Sequence, residues 1–330
     1  MNKVLEVKDL KTHFTTDKGV VKAVDGVTFD LIEGKTLGVV GESGCGKSIT
    51  AMSILRLIDK NGGIVNGTVS YNGREIQDIP ISEMMKIRGN EISIIFQEPM
   101  TSLNPVFKIG DQIVESIKLH QDLSKKEAHD KAVSMLKLVG IPRAERVVYD
   151  YPHQLSGGMR QRAMIAMALS CDPKVLIADE PTTALDVTIQ AQILSLMNDL
   201  KEKTNTAIML ITHDLGVVAQ MADDVIVMYS GKVVEAAEVN ELYGNPKHPY
   251  TQGLLDSIPD IKSQKKRLNS IEGVVPNPME LPNGCYFAPR CKFAMDKCWE
   301  EEPGVYFIDK EKNGENHKVK CFLYENEEEN

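Results

Sequence analysis

The stretch Gly41-Glu42-Ser43-Gly44-Cys45-Gly46-Lys47-Ser48 constrains this chain more than any other. It has the form G-x-x-x-x-G-K-[ST], which is credible as a phosphate loop when it follows a strand and opens a helix. Both flanks have that character. Thr36–Val40 is an apolar, strand-like run, and the segment from Ile49 to Ile58 carries Met52, Leu55 and Ile58 at helical spacing. Glycines let the backbone curl until successive N–H groups converge on one anion, and the following helix adds the positive end of its dipole. The nucleotide cradle is expected over Gly41, Ser43, Gly44, Cys45, Gly46, Lys47, Ser48 and Ile49. Lys47 reaches the β- and γ-phosphates, and the Ser48 hydroxyl ligates Mg²⁺. An α/β fold with a P-loop nucleoside triphosphatase core is the expectation.

A chain of 330 residues, 42% hydrophobic and 26% charged, holds one large domain or one domain with an extension. Its net charge of -9 argues against general nucleic-acid binding, which needs a basic surface to displace counterions. No apolar run approaches the roughly 18 residues of a membrane span. The start, Met1-Asn2-Lys3-Val4-Leu5-Glu6, has no apolar signal region. A cytosolic chain that spans nothing by itself is therefore expected.

Before the loop, Leu5–Leu10 and Val20–Asp30 read as strands of an antiparallel sheet. Phe14 lies upstream of the loop, where an aromatic either stacks on an adenine ring or packs within the sheet. After the loop, Thr68–Tyr71 with its Asn72-Gly73 turn predicts a hairpin. Glu91–Phe96 is an apolar run that ends at Gln97, a residue placed to hold Mg²⁺ or the attacking water. Ile109–His120 and Lys125–Leu138 have helical spacing and form a small helical insert, over about residues 100–158. Ser156-Gly157-Gly158 then opens a further helix, with bare N–H groups at a dipole end. Ser156 as a plain helix N-cap is the bland alternative. Val175–Glu180 is an apolar strand ending in two carboxylates, a Walker B segment. Asp179 would hold Mg²⁺ and Glu180 would polarise water. Asp186 caps the helix Val187–Lys203, and Ala207–Thr212 is a buried strand with His213 at its end. Strand carboxyl ends are where open α/β sheets bind ligands.

In this order, phosphate loop, glutamine, Leu155-Ser156-Gly157-Gly158, Walker B glutamate, Ala184-Leu185-Asp186 and histidine, the chain resembles the ATP-binding subunits of ABC transporters over residues 3–240. Phe96-Gln97-Glu98-Pro99-Met100-Thr101-Ser102-Leu103-Asn104-Pro105, His248-Pro249-Tyr250-Thr251 and the cysteine-bearing tail are similar to the dipeptide and oligopeptide permease branch. The resemblance implies ATP-driven import of peptides. Gly44, Gly46, Lys47 and Ser48 would bind ATP and Mg²⁺, and Gln97 would couple the site to membrane subunits. Ser156, Gly157 and Gly158 would bind the γ-phosphate held by an opposing ATPase. Glu180 would be the general base and His213 the switch. Met159 stands where the general signature often has glutamine, a side chain that backbone N–H binding does not need.

The implied partners are two transmembrane permease subunits, a second ATPase chain (a related one or a copy of itself) in a head-to-tail dimer, and an extracytoplasmic solute-binding protein. The chain would lie peripherally on the cytoplasmic face of the membrane. Import of nickel or another small solute is the near alternative, and a soluble non-transport ATPase the further one. A DNA-clamp ATPase would need a long coiled coil between loop and signature, and a translation ATPase would carry two cassettes. A non-hydrolysing module is opposed by Glu180 and His213.

Residues 241–330 read as an extension, rich in proline and turns, with a short solvated basic run at Lys265-Lys266-Arg267. Of the six cysteines, Cys45 and Cys171 are isolated, while Cys285, Cys291, Cys298 and Cys321 lie together. The close C-x2-4-C pair usual for zinc is absent. Four thiolates on wider loops suit a [4Fe–4S] cluster, and tails resembling this one can carry such a cluster. Zinc and free structural thiols are the alternatives.

Overall fold

The computed structural model describes residues 2–98, 102–182, 186–257, 271–308 and 317–329. The motif positions 99–101 and 184–185 and the basic run at 265–267 lie outside the described residues. Two compact units divide the chain, one built on residues 1–5, 31–35 and 78–211, the other on 6–30, 36–77 and 212–330.

The first unit is a parallel sheet with helices. Strands Ile92–Ile95, Val175–Asp179 and Ala207–Ile211 pair in parallel, in that order. The last two are buried along their whole length, which is why they read as unbroken apolar runs instead of alternating ones. The insert has helices Ile109–His120 and Lys125–Leu138 at the bounds their spacing predicts. The second helix starts at a capping box, in which Ser124 accepts from the Glu127 amide and Glu127 accepts from the Ser124 amide. It buries Ala128, Ala132, Met135 and Leu136 on one face. The helix Gly157–Leu169 opens at the Ser156-Gly157-Gly158 turn, as the sequence predicts, with Ser156 as its cap.

The second unit holds a four-stranded sheet and a further run of paired strands. The sheet orders strands Gly19–Ile32, Lys3–Thr16, Gly62–Tyr71 and Arg74–Glu75, the last pair antiparallel about the Asn72-Gly73 turn. All but the last run longer than their apolar cores indicate. In that further run Thr36–Val40 pairs in parallel with Asp224–Tyr229, which pairs antiparallel with Lys232–Glu238. The tail continues this run. Lys318–Val319 adds antiparallel to Glu235 and Ala236, and Tyr306–Phe307 adds to Lys318–Val319. The helix after the phosphate loop spans Lys47–Ile54, shorter than the expected run to Ile58. Arg56 turns left-handed there, at φ 53°, so Leu55 is buried beyond the helix end, not on its face.

Proline-rich composition makes the tail read as loosely folded, yet its described part is anchored in a core. Tyr229, Tyr250 and Phe287 form an aromatic cluster, with ring centroids 4.7 Å apart for the first pair and 5.1 Å for Tyr229 and Phe287. Glu235, wholly buried, accepts from the amides of Lys247 and His248 at 2.7 and 2.9 Å, and its carboxylate lies 2.8 Å from His317 Nε2. Among the described residues no helix is long and apolar enough to cross a membrane.

Candidate functional site

In the second unit the phosphate loop leaves the buried strand Thr36–Val40 and enters the helix Lys47–Ile54. Two glycines have no substitute. Gly46 is the helix N-cap at φ 100°, and a Cβ there would sit 2.3 Å from the Ala23 carbonyl oxygen. A Cβ on Gly41 would sit 2.2 Å from the Met228 carbonyl oxygen. The loop is thus pressed against backbone at both ends. Ser43 and Gly44, at its crest, are exposed. Lys47 is buried and its Nζ donates to the carbonyls of Gly41 at 2.7 Å and Glu42 at 3.0 Å. Nζ also lies 3.6 Å from Cys45 Sγ. Burial pushes the Cys45 thiol up, so it remains neutral beside the lysine. Ser48 and Ile49 follow on the first helical turn, both partly exposed.

Phe14 is partly buried, and a Cβ on Gly62 would come within 2.5 Å of its ring. Its ring therefore lies against the backbone of the strand Gly62–Tyr71. His213 is exposed, directly before Asp214, whose carboxylate caps the helix Leu215–Met221 by accepting from Gly216 and Val217.

In the first unit the Walker B strand delivers Asp179, buried, and Glu180, partly exposed. Glu180 takes a left-handed backbone at φ 47°, uncommon for a residue with a side chain. Its amide donates to Ile211, and its carboxylate accepts from Gln97 Nε2 at 2.9 Å. The glutamine and glutamate picked out 83 residues apart are in contact. Ser156 and Gly157 are exposed at the start of a 13-residue helix. Ser156 does cap the helix, accepting from the Met159 amide at 3.3 Å. The same helix is tied to the Walker B turn, since buried Gln161 donates to the Pro181 carbonyl at 2.7 Å. Arg162 donates to the carbonyls of Val139 and Gly140 in the insert.

Cys285, Cys291, Cys298 and Cys321 line one small pocket with Phe287 and Phe322. Burial, followed by the nearness of the other cysteines, pushes Cys321 up to about 12. Among the described residues no group of three or more His, Cys, Asp or Glu side chains is arranged to hold a metal ion. The expectation of a metal centre is corrected to that extent: the four thiols line one pocket, and no metal-holding group is found among them.

Sequence reasoning missed the residues that hold Glu42. Arg290 binds its carboxylate and Tyr250 its amide. Tyr250 belongs to the His248-Pro249-Tyr250-Thr251 motif, but its contact with the loop has no sequence signal, nor has that of Arg290, 248 residues away.

Residues 24–183 match the family described as ABC transporter, and residues 234–298 match the oligopeptide/dipeptide transporter C-terminal region. The chain is 56% identical to the oligopeptide transport ATP-binding protein AppD of Bacillus subtilis, across 99% of this chain and 98% of that one. It is 54% identical to the dipeptide transport ATP-binding protein DppD of Lactococcus lactis, across 93% and 88%. Among solved structures, the ATP-binding cassette MJ0796, a dimer in a post-hydrolysis state bound to ADP and Pi, matches with a TM-score of 0.66. That match has 26% identity and covers 71% of this chain and 98% of MJ0796.

Proposed function

This chain belongs to the ATP-binding proteins of oligopeptide and dipeptide ABC transporters, and we propose how its residues divide the work of hydrolysing ATP for peptide import. The observation that carries the reading is the Gln97–Glu180 contact at the end of the Walker B strand, in a chain that also has the phosphate loop and the peptide-transporter C-terminal region. The C-terminal match favours peptide transport over a soluble non-transport ATPase, and nothing favours nickel.

Main-chain N–H groups of Gly41, Ser43, Gly44, Cys45, Gly46, Ser48 and Ile49 cradle the phosphates, and Lys47 neutralises the β- and γ-oxygens. Phe14 stacks on adenine with the ring face that Gly62 does not cover. Ser48 supplies a hydroxyl, Gln97 a carboxamide oxygen and Asp179 a carboxylate, the hard oxygen donors that suit Mg²⁺. Bound Mg²⁺ would offset the negative charge of the triphosphate. Glu180 takes the proton from the attacking water while Gln97 orients its carboxylate, and His213 reports whether the γ-phosphate is present. Ser156, Gly157 and Gly158 present their helix N-terminus to the ATP of a second ATPase chain, a copy or a relative, in a head-to-tail dimer.

Residues 1–240 form the nucleotide-binding domain with its insert at about 100–158, and 241–330 the extension. The assembly adds two permease subunits at the cytoplasmic face of the membrane, fed by an extracytoplasmic solute-binding protein. The four cysteines are proposed as ligands of a [4Fe–4S] cluster. What supports this is the donor set alone, four thiols lining one small apolar pocket. Iron and acid-labile sulfide in anaerobically purified protein would support it, and stoichiometric zinc without iron would remove it. The hydrolytic reading is tested by ATP turnover of the assembled complex with Glu180→Gln. Near-normal turnover would take the general-base role from Glu180.

A further inference from the structure

The phosphate loop contains an anion of its own. Glu42 directly follows Gly41, and a carboxylate there repels an incoming polyphosphate unless its charge is offset. Arg290 offsets it in a bidentate pair, with Nη1 donating to Oε2 at 2.6 Å and Nη2 to Oε1 at 3.0 Å. The Arg290 side chain is only 3% exposed. Its Nε also donates to the Glu272 carbonyl at 3.2 Å, and its guanidinium lies 5.8 Å over the Tyr229 ring. The fork is therefore fixed before any ligand arrives. Independently, the Glu42 amide donates to Tyr250 Oη at 2.8 Å. Tyr250 is fully buried in the aromatic cluster with Tyr229 and Phe287. The amide and the carboxylate of one loop residue are thus held by the C-terminal extension, while its carbonyl accepts from Lys47 within the loop. The G-x-x-x-x-G-K-[ST] pattern asks for neither of the extension's contacts, since Glu42 occupies one of its unspecified positions.

We propose that Arg290 and Tyr250 are positioning residues for ATP binding, acting through Glu42 to hold the curl of the phosphate loop and to cancel its carboxylate charge. The extension is then part of the nucleotide site's support and not a separate appendage. This rests on the phosphate loop being the ATP site, which a Lys47→Ala control tests on its own.

The experiment is calorimetric titration of the full-length chain with Mg-ATP, alongside a melting temperature for each variant. Arg290→Met is expected to raise the Kd for Mg-ATP about tenfold, Arg290→Lys less, and Tyr250→Phe about threefold. In a Glu42→Gln background, Arg290→Met is expected to change Kd by less than about twofold, because the charge it offsets has gone. A structural role alone would lower the melting temperature and leave Kd unchanged, and that result overturns the proposal. So does an equal effect of Arg290→Met in both backgrounds. If Arg290→Met does not fold, the same cycle with Arg290→Lys decides: coupling to Glu42→Gln supports the proposal and its absence overturns it. Normal Mg-ATP binding by Lys47→Ala would instead show that the phosphate-loop reading itself is wrong.

Discussion

Glu180 combines a left-handed backbone with a contact to Gln97. That combination is the ground for the proposed general-base role. Glu180→Gln is expected to retain Mg-ATP binding and to lose turnover by about 10²–10⁴-fold, the usual worth of a general base; phosphate release by the assembled complex measures it. A second residue sets a pH dependence. His248 caps the helix Pro249–Asp256 with Nδ1, which accepts from the Tyr250 amide and so must be unprotonated. Burial lowers its pKa to about 4, against the opposing pull of Glu235. The unfolded chain takes up this proton below about pH 6.5 and the folded chain only near pH 4. Stability is therefore full above pH 6.5 and falls as the pH drops towards 4, by about 3 kcal/mol from this group. Denaturant midpoints at pH 7 and pH 5 should show the loss, and His248→Asn, which still caps, should shrink it. Gln97 and Glu180 were each legible in the sequence as candidates because each ends an apolar run, but their contact was not. Nor was the grip of Arg290 on Glu42, since a contact across 248 residues leaves no local pattern.

At the scale of elements, the helix Gly157–Leu169 has an exposed N-terminus and a buried body bonded to Pro181, Val139 and Gly140. Ser156 serves as both cap and proposed ligand. Ser156→Ala is expected to cost about 0.5–2 kcal/mol of stability through the lost cap and, separately, to lower turnover only in the assembled complex. Comparing melting temperature with phosphate release in both states separates the two. The entrance of the helix Lys47–Ile54 is stricter. Gly46→Ala places a Cβ against the Ala23 carbonyl at a backbone angle that side chains rarely adopt. Mg-ATP affinity should fall by about tenfold or more, from strain of about 1–3 kcal/mol, as read by equilibrium binding. Buried strands and amphipathic helices were legible because burial sets their period. Ends were less so: Arg56 stops one helix by a single backbone angle, and the strand Lys318–Val319 is too short to stand out of a polar tail.

At the scale of the whole molecule, the role proposed for the exposed Ser156–Gly157 turn predicts that the chain alone is largely monomeric and slow. In the proposed head-to-tail dimer, a second ATPase chain brings the opposing phosphate loop. The most direct test is peptide uptake into proteoliposomes carrying the permease subunits, this chain and its companion ATPase, with the solute-binding protein supplied outside and Mg-ATP enclosed. The expected result is peptide accumulation that requires Mg-ATP and is lost with Glu180→Gln. Undiminished accumulation in that variant, or brisk ATP turnover with no peptide movement, would contradict the role of this chain as the hydrolytic subunit of a peptide importer.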